Sequence, residues 1–329
     1  MKPLVSIIIP TYNRAHCIGE TLQSVQNQSY DSWECLVVDD GSDDTTEAVV
    51  NAYAKADTRI QLHKRPETAT KGANACRNLG VAHSSGAYII FLDSDDVLHE
   101  NTVEKRVQCM MEHLDLDFAV FGVSYFYPDG SIKVPSQKNV LFENHNDYLL
   151  AFLSYDIPWV ITSPIWKRHV CEAITWDEDL KRLQDIDFHI RVLLEDSYSF
   201  KRFDTVDTKI RAAQVEKMTN PSHILPVLES FDVYVQKMAK HTAISTPLRK
   251  HFKKAILFFE KKYLLPGEKS FPKQVKKVRK TIAAHHLFTL KERIIIRMEF
   301  NNIRRGEKGI RTIASHRIHT LFKKTFTIA

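Results

Sequence analysis

The sequence predicts an α/β fold, a mostly parallel sheet with helices on both faces, followed by a mainly helical and basic C-terminal region. Three observations carry this prediction. Short continuous apolar runs alternate with segments of helical periodicity. Acidic residues collect where those runs end, which is where open parallel sheets bind ligands. Charge is divided along the chain: Arg249–Lys324 holds 22 Lys and Arg against 5 Asp and Glu, a local +17, and leaves the preceding 248 residues at −11 within an overall +6.

The elements follow in order. "LVSIIIP" is an unbroken apolar run ending at Pro10, as expected of a strand buried on both faces. Ile18, Leu22 and Val25 recur at helical spacing over 18–28. "ECLVVDDGS" reads as a second buried strand running into Asp39 and Asp40, with Asp43 and Asp44 suited to the start of the next helix. "RIQLHK" reads as a third strand, 73–83 as a helix, and "AYIIFLDSDD" as a fourth strand. The charge step puts a boundary near 240–248. Residues 1–240 are then one catalytic region, with a ligand-binding half to about 98 and a second half over 99–240, and 241–329 form the basic helical region.

Composition narrows the function classes. A hydrophobic fraction of 43% with 26% charged residues is that of a globular protein. No apolar run reaches the length of a membrane span, and Met1-Lys2-Pro3 leads into a strand rather than a signal peptide, so a cytoplasmic location is expected. The five cysteines stand singly, without a C-x-x-C pair, and read as reduced and packed. The first strand is followed by "PTYNRAHCIG", which lacks the glycines of a nucleotidyltransferase phosphate loop.

The stretch "IIFLDSDDVL" places Asp93, Asp95 and Asp96 on one turn. Like charges this close repel, and their partial burial is costly unless a cation or hydrogen bond compensates. One such carboxylate could cap the following helix. Three exceed that need, and a hard divalent cation shared with ligand phosphates accounts for them better.

"VSIIIPTYNR", "VVDDGSDDTT", "KGANACRNLG", "FLDSDD" and "LQDIDFHIRVL", in this order over residues 4–215, resemble the family 2 glycosyltransferases of bacterial surface glycans, which have the Rossmann-like GT-A fold. The resemblance implies that Pro10 and Tyr12 shape the base pocket, that Asp40 accepts the N3–H of uracil, and that Lys71 and Arg77 approach base and phosphates. It implies a D-x-D metal site with Asp95 as first contact, Asp93 and Asp96 held jointly beside it, and Mg²⁺ or Mn²⁺ as the cofactor. Asp93 and Asp95 would also touch the donor. An acidic pair, usually Glu-Asp, precedes a helix in this family. Here the pair is Gln184-Asp185, which keeps the general base Asp185 and loses the Glu. Asp187 is the rival base. Trp159 and Trp166 are acceptor-side candidates or core residues, and Arg191 pairs with a phosphate or with Asp187.

The activity implied is an inverting, metal-dependent transfer of a sugar from a nucleotide-sugar, by preference a UDP-sugar, to a hydroxyl of a polysaccharide, lipid-linked or other surface glycan. The alternative is a sugar-nucleotide-binding protein without transfer, which the Gln184 departure supports. Outside the resemblance, Ile310, Ile313, Ala314, Ile318, Leu321, Phe322 and Phe326 form a stripe with basic flanks. Residues 310–326 therefore read either as a helix at an anionic membrane surface, on its inner face, or as a packed helical appendage. No nucleic-acid motif appears, and no nucleic-acid partner is expected.

Overall fold

The computed structural model describes residues 2–135, 141–212, 221–307 and 313–326, with side chains described over the same residues except 221–222 and 302–317. The chain divides into two compact units, Met1–Phe152 with Asp156–Lys217, and Leu153–Tyr155 with Met218–Ala329. The helix Pro221–Lys240, which the charge step groups with the first region, is counted with the second unit.

The first unit runs β1 (Val5–Thr11), α1 (Ile18–Gln26), β2 (Trp33–Asp39), α2 (Thr46–Ala56), β3 (Ile60–Lys64), α3 (Ala73–His83), β4 (Tyr88–Phe91), β5 (Val97–Leu98), α4 (Thr102–Glu112), β6 (Phe118–Phe126), β7 (Ile132–Lys133), α5 (His145–Leu153), β8 (Pro164–Lys167), α6 (Arg168–Ala173), α7 (Gln184–Leu193) and β9 (Phe200–Arg211). The sheet order is β3-β2-β1-β4-β8-β6-β9-β5, with β7 on β6. The four expected strands pair in parallel, as β1 with β2 and β4 and β2 with β3. Beyond β4 the sheet is mixed, because β8 runs antiparallel to both β4 and β6.

Helices cover both faces. Val5, Ile7 and Ile9 of β1 share a core with Ile18 and Leu22 of α1, Val50 of α2 and Val103 of α4. Ile8 points the other way, onto α3, and a Cβ at Gly80 would collide with its Cγ2. Glycine at that position lets helix and strand approach closely. Phe91 of β4 lies on the same side as α7, edge-on to Phe188 at 6.3 Å. All five cysteines are free and buried.

Two features carry the distant end of the sheet to the D-x-D turn. β5, directly after the turn, pairs Val97 with Lys209 and Leu98 with Thr208 of β9. Arg106 of α4, fully buried, grips Asp207 with Nε and Nη2, both at 2.7 Å, and donates to the Thr162 carbonyl at 2.9 Å. A bidentate, charge-assisted contact of this kind fixes orientation as well as energy.

The second unit holds α8 (Pro221–Lys240), α9 (Thr246–Phe259), a π-helical turn (Glu260–Leu264), α10 (Leu265–Gly267), α11 (Pro272–Ala284), α12 (Leu290–Glu307) and α13 (Ile313–Phe326). Its core stacks Phe231 on Phe259, with centroids 4.0 Å apart. In α13, Phe322 lies 6.4 Å from Phe300 and Phe326 lies 6.2 Å from Phe288, so these members of the expected stripe turn onto their own unit. Ile310 lies outside the described residues, as do the side chains of Ile313 and Ala314. Among the described residues no helix is long and apolar enough to cross a membrane.

Candidate active site

A cavity of about 440 Å³ opens at the carboxyl ends of β1, β2 and β4, lined by Pro10, Thr11, Tyr12, Arg14, Asp40, Ala73, Arg77, Asp93, Ser94, Asp95 and Arg182. Adjacent to it is a recess of about 280 Å³ that holds Asp185, Gln184, Asp96, Val160 and Thr162. The two share Arg77, Asp93 and Arg182 as common wall. Sheet topology explains the convergence: β1 ends at Thr11, paired with Asp39 of β2, and the D-x-D turn follows β4 on the other side of β1.

At one end of the cavity Asp40 is held by three elements. Its Oδ1 accepts Arg65 Nε at 2.5 Å and the Gly72 N–H at 3.1 Å, while its own N–H goes to the Thr11 carbonyl. Gly72 has φ +144°, a conformation open to glycine, which lets the loop donate to Asp40. Neighbouring Asp39 is structural: it accepts the N–H groups of Gly41 and Ser42 and the Ser42 hydroxyl. Tyr12 is 40% exposed, with Lys71 Nζ 4.3 Å from its ring centroid, a cation–π contact at the cavity edge.

At the other end stands the D-x-D turn. Arg77, 4% exposed, donates from Nη2 to Asp93 Oδ1 at 2.9 Å and from Nη1 to Asn74 at 3.1 Å and Gln184 Oε1 at 3.3 Å, with its guanidinium against Trp176. One buried cation thus links the D-x-D turn to the Gln184-Asp185 pair. Asp95 faces the cavity with Arg14 Nε 3.9 Å away. Burial, and then the charge of Asp93, push its carboxyl above the usual range. Asp96 is 3% exposed and accepts the Arg211 N–H at 3.1 Å; burial, Asp93 and Asp95 push it well up. Asp96 therefore helps to anchor β9 through Oδ1 and lines the recess with Asp93, whereas Asp93 and Asp95 are the carboxylates on the cavity.

These two oxygen donors fit a hard divalent cation, because their mutual repulsion is what a cation relieves. Among the described residues no group of three or more His, Cys, Asp or Glu is placed to hold one. The remaining coordination positions would fall to ligand phosphates and water, as is usual for Mg²⁺.

Asp185 lies in the first turn of α7, with the Ile186 N–H donating to its Oδ1 at 3.0 Å. Leu183, directly before the Gln184-Asp185 pair, has a φ of +64°, strained for a side chain of this kind. Tyr125 of β6 stands near, its hydroxyl pushed up by burial with the charges of Asp96 and Asp185 adding. Asp187 is overturned as the rival base. It is 1% exposed, and Arg191 donates to its Oδ2 from Nε at 2.9 Å and Nη2 at 2.7 Å, which also settles the partner of Arg191. Trp159 and Trp166 are likewise overturned as acceptor platforms. Both are fully buried, caging His189 at 5.5 and 5.9 Å together with Phe152. Burial drives the His189 imidazole down to about 3.

Arg14, Arg65, Arg182 and Arg211 were not foreseen. Arg14 ends the motif "VSIIIPTYNR", and its place there was the available signal; the others come from loops or a strand end without periodicity.

Residues 6–168 match glycosyl transferase family 2. That segment of the chain has the sequence pattern of the family. TuaG of Bacillus subtilis, provisionally named a teichuronic acid biosynthesis glycosyltransferase, is 39% identical over 130 residues, covering 40% of this chain and 50% of TuaG. The UDP-Glc:alpha-D-GlcNAc-diphosphoundecaprenol beta-1,3-glucosyltransferase WfgD of Escherichia coli is 41% identical over 110 residues, 33% of this chain and 42% of WfgD. The chain thus spans half or less of the length of these two relatives. S. aureus TarS 1-349 in complex with UDP-GlcNAc superposes with a TM-score of 0.64, at 18% identity, over 99% of this chain and 89% of that TarS fragment, a likeness that shows the GT-A fold.

Proposed function

We propose that this protein is an inverting, metal-dependent glycosyltransferase that moves a sugar from a UDP-sugar to a hydroxyl of a surface glycan or lipid-linked acceptor, working in the cytoplasm. The observation that carries the reading is the common wall: Arg77, Asp93 and Arg182 separate a cavity that ends on Asp40 from a recess that holds Asp185. A donor lying along the cavity would present its anomeric carbon to that recess.

In this reading Asp40, fixed through Oδ1, takes the uracil N3–H, and the Tyr12 ring walls the base. Asp93 and Asp95 would hold a divalent cation, Mg²⁺ or Mn²⁺, which would supply positive charge to a departing UDP. Arg77 orients Asp93, and Arg14 and Arg182 add positive charge to the cavity lining. Asp185 takes the proton of the acceptor hydroxyl as it attacks from the face opposite the leaving group. One base and no paired nucleophile give one displacement, so an α-linked donor yields a β-linked product. The names of WfgD and TarS support a UDP-sugar donor, and that of WfgD supports a lipid-linked acceptor.

Calorimetric titration of UDP tests the donor half. Affinity should fall several-fold in EDTA, and Asp95→Asn should bind UDP with the same weakened affinity whether or not Mn²⁺ is present. Equal UDP affinity with and without metal in the native protein contradicts the metal role.

A further inference from the structure

The outward face of α12 is apolar and basic at once. Leu290, Ile294 and Met298 recur every four residues and are 76, 53 and 41% exposed. Lys291, Arg293 and Arg297 lie exposed among them. Both acids of this stretch turn inward. Glu292 accepts Lys253 Nζ at 2.8 and 3.0 Å, and Glu299, 4% exposed, meets His319 Nδ1 at 2.7 Å. Between Leu290 and Asn301 the exposed face therefore carries three cations and no exposed carboxylate. Next to it a recess of about 760 Å³ has Arg249 and Lys250 on its rim, shared with Arg293.

We propose that this face docks on an anionic phospholipid surface, Leu290, Ile294 and Met298 entering the boundary of the acyl chains while Lys291, Arg293 and Arg297 meet the phosphates. An apolar line alone would suit many partners. A line edged by cations, with both nearby acids withdrawn, is complementary to a layer of phosphates over hydrocarbon, the geometry of an interfacial helix. α12 is a fuller surface than the described side chains of 318–326, where Phe322 and Phe326 lie against Phe300 and Phe288 and Leu321 alone of the stripe is exposed, at 43%. The inference is independent of the transfer chemistry, so either can fail without the other.

The test is co-sedimentation of the full chain with phosphatidylcholine vesicles containing rising phosphatidylglycerol. Binding should grow with the anionic fraction and fall with salt. The triple variant Leu290→Ser/Ile294→Ser/Met298→Ser should lose about tenfold or more in vesicle affinity. Lys291→Glu/Arg297→Glu should lose a comparable amount. Lys323→Glu/Lys324→Glu should bind as the native chain does. UDP affinity should be unchanged throughout. Should the serine variant melt early, the charge-reversed pair decides, since its two positions are exposed and form no ion pair among the described residues. Undiminished binding of that pair, or absence of native binding to anionic vesicles, overturns the proposal. So does a native dimer in sedimentation velocity that the serine variant dissociates, because a second copy of the chain then covers the face.

Discussion

Exchanging each of two aspartates on one helix separates chemistry from architecture. Asp185 and Asp187 are two residues apart in α7, yet Asp187 is buried and bound twice by Arg191, whereas Asp185 lines the recess. Asp187→Asn keeps the shape but removes the charge, leaving a guanidinium whose side chain is 23% exposed beside a neutral amide. Breaking a fully buried pair costs about 3–5 kcal/mol, and partial access of Arg191 to water reduces that to about 1–3 kcal/mol. For a unit of about 200 residues this lowers the melting temperature by about 2–7 °C. Asp185→Asn should leave the melt within about 1 °C, retain UDP binding, and reduce turnover by about 100-fold or more, the contribution of a positioned base. The assay is a thermal melt beside UDP titration and turnover, all below the melting range. Full turnover by Asp185→Asn, or a dead but thermally unaltered Asp187→Asn, refutes the assignment.

His189 gives a pH signature. Its folded value near 3 lies below the usual 6.5, so the unfolded chain binds the extra proton between them. Its contribution is complete above pH 6.5 and is lost as pH falls toward 3, by about 1.4 kcal/mol per unit. His189→Phe should flatten that part of a stability-against-pH curve, and an unchanged slope counts against the cage. Trp159→Ala should cost about 3–5 kcal/mol by chemical denaturation, with no selective loss of acceptor affinity in whatever folded protein remains. Gly80→Ala should cost about 1–3 kcal/mol in the same assay, because the new Cβ meets Ile8.

The first half of the fold was legible because β1, β2 and β4 are buried on both faces, which leaves short unbroken apolar runs, and each empties into a distinctive loop. Past residue 98 the signal weakens. β8 has four residues and contains Pro164, and β9 mixes charged and apolar residues with register shifts against β6. Asp40, Asp93, Asp95 and Asp185 could be named because each sits in a quoted motif and all converge in space. Trp159 and Trp166 could not be sorted, since a tryptophan suits a sugar face and an aromatic core equally well; only burial decides. Asp96 is a similar case. Its bond from the Arg211 N–H depends on β5 pairing with β9, a contact between residues far apart in the chain. The tail stripe had the right periodicity, but periodicity cannot say whether helix α13 turns its phenylalanines to a bilayer or to α12.

The most direct test of the proposed function is UDP release across a panel of UDP-sugars, with Mn²⁺ or Mg²⁺ and then with EDTA, for the native chain and Asp185→Asn in the presence of glycan acceptors. The account predicts that at least one sugar is turned over with metal, that EDTA stops it, and that Asp185→Asn binds the same sugar nucleotide without releasing UDP. A protein that binds UDP-sugars tightly yet releases UDP from none, with Asp185→Asn indistinguishable from it, contradicts the account and leaves a sugar-nucleotide-binding protein without transfer.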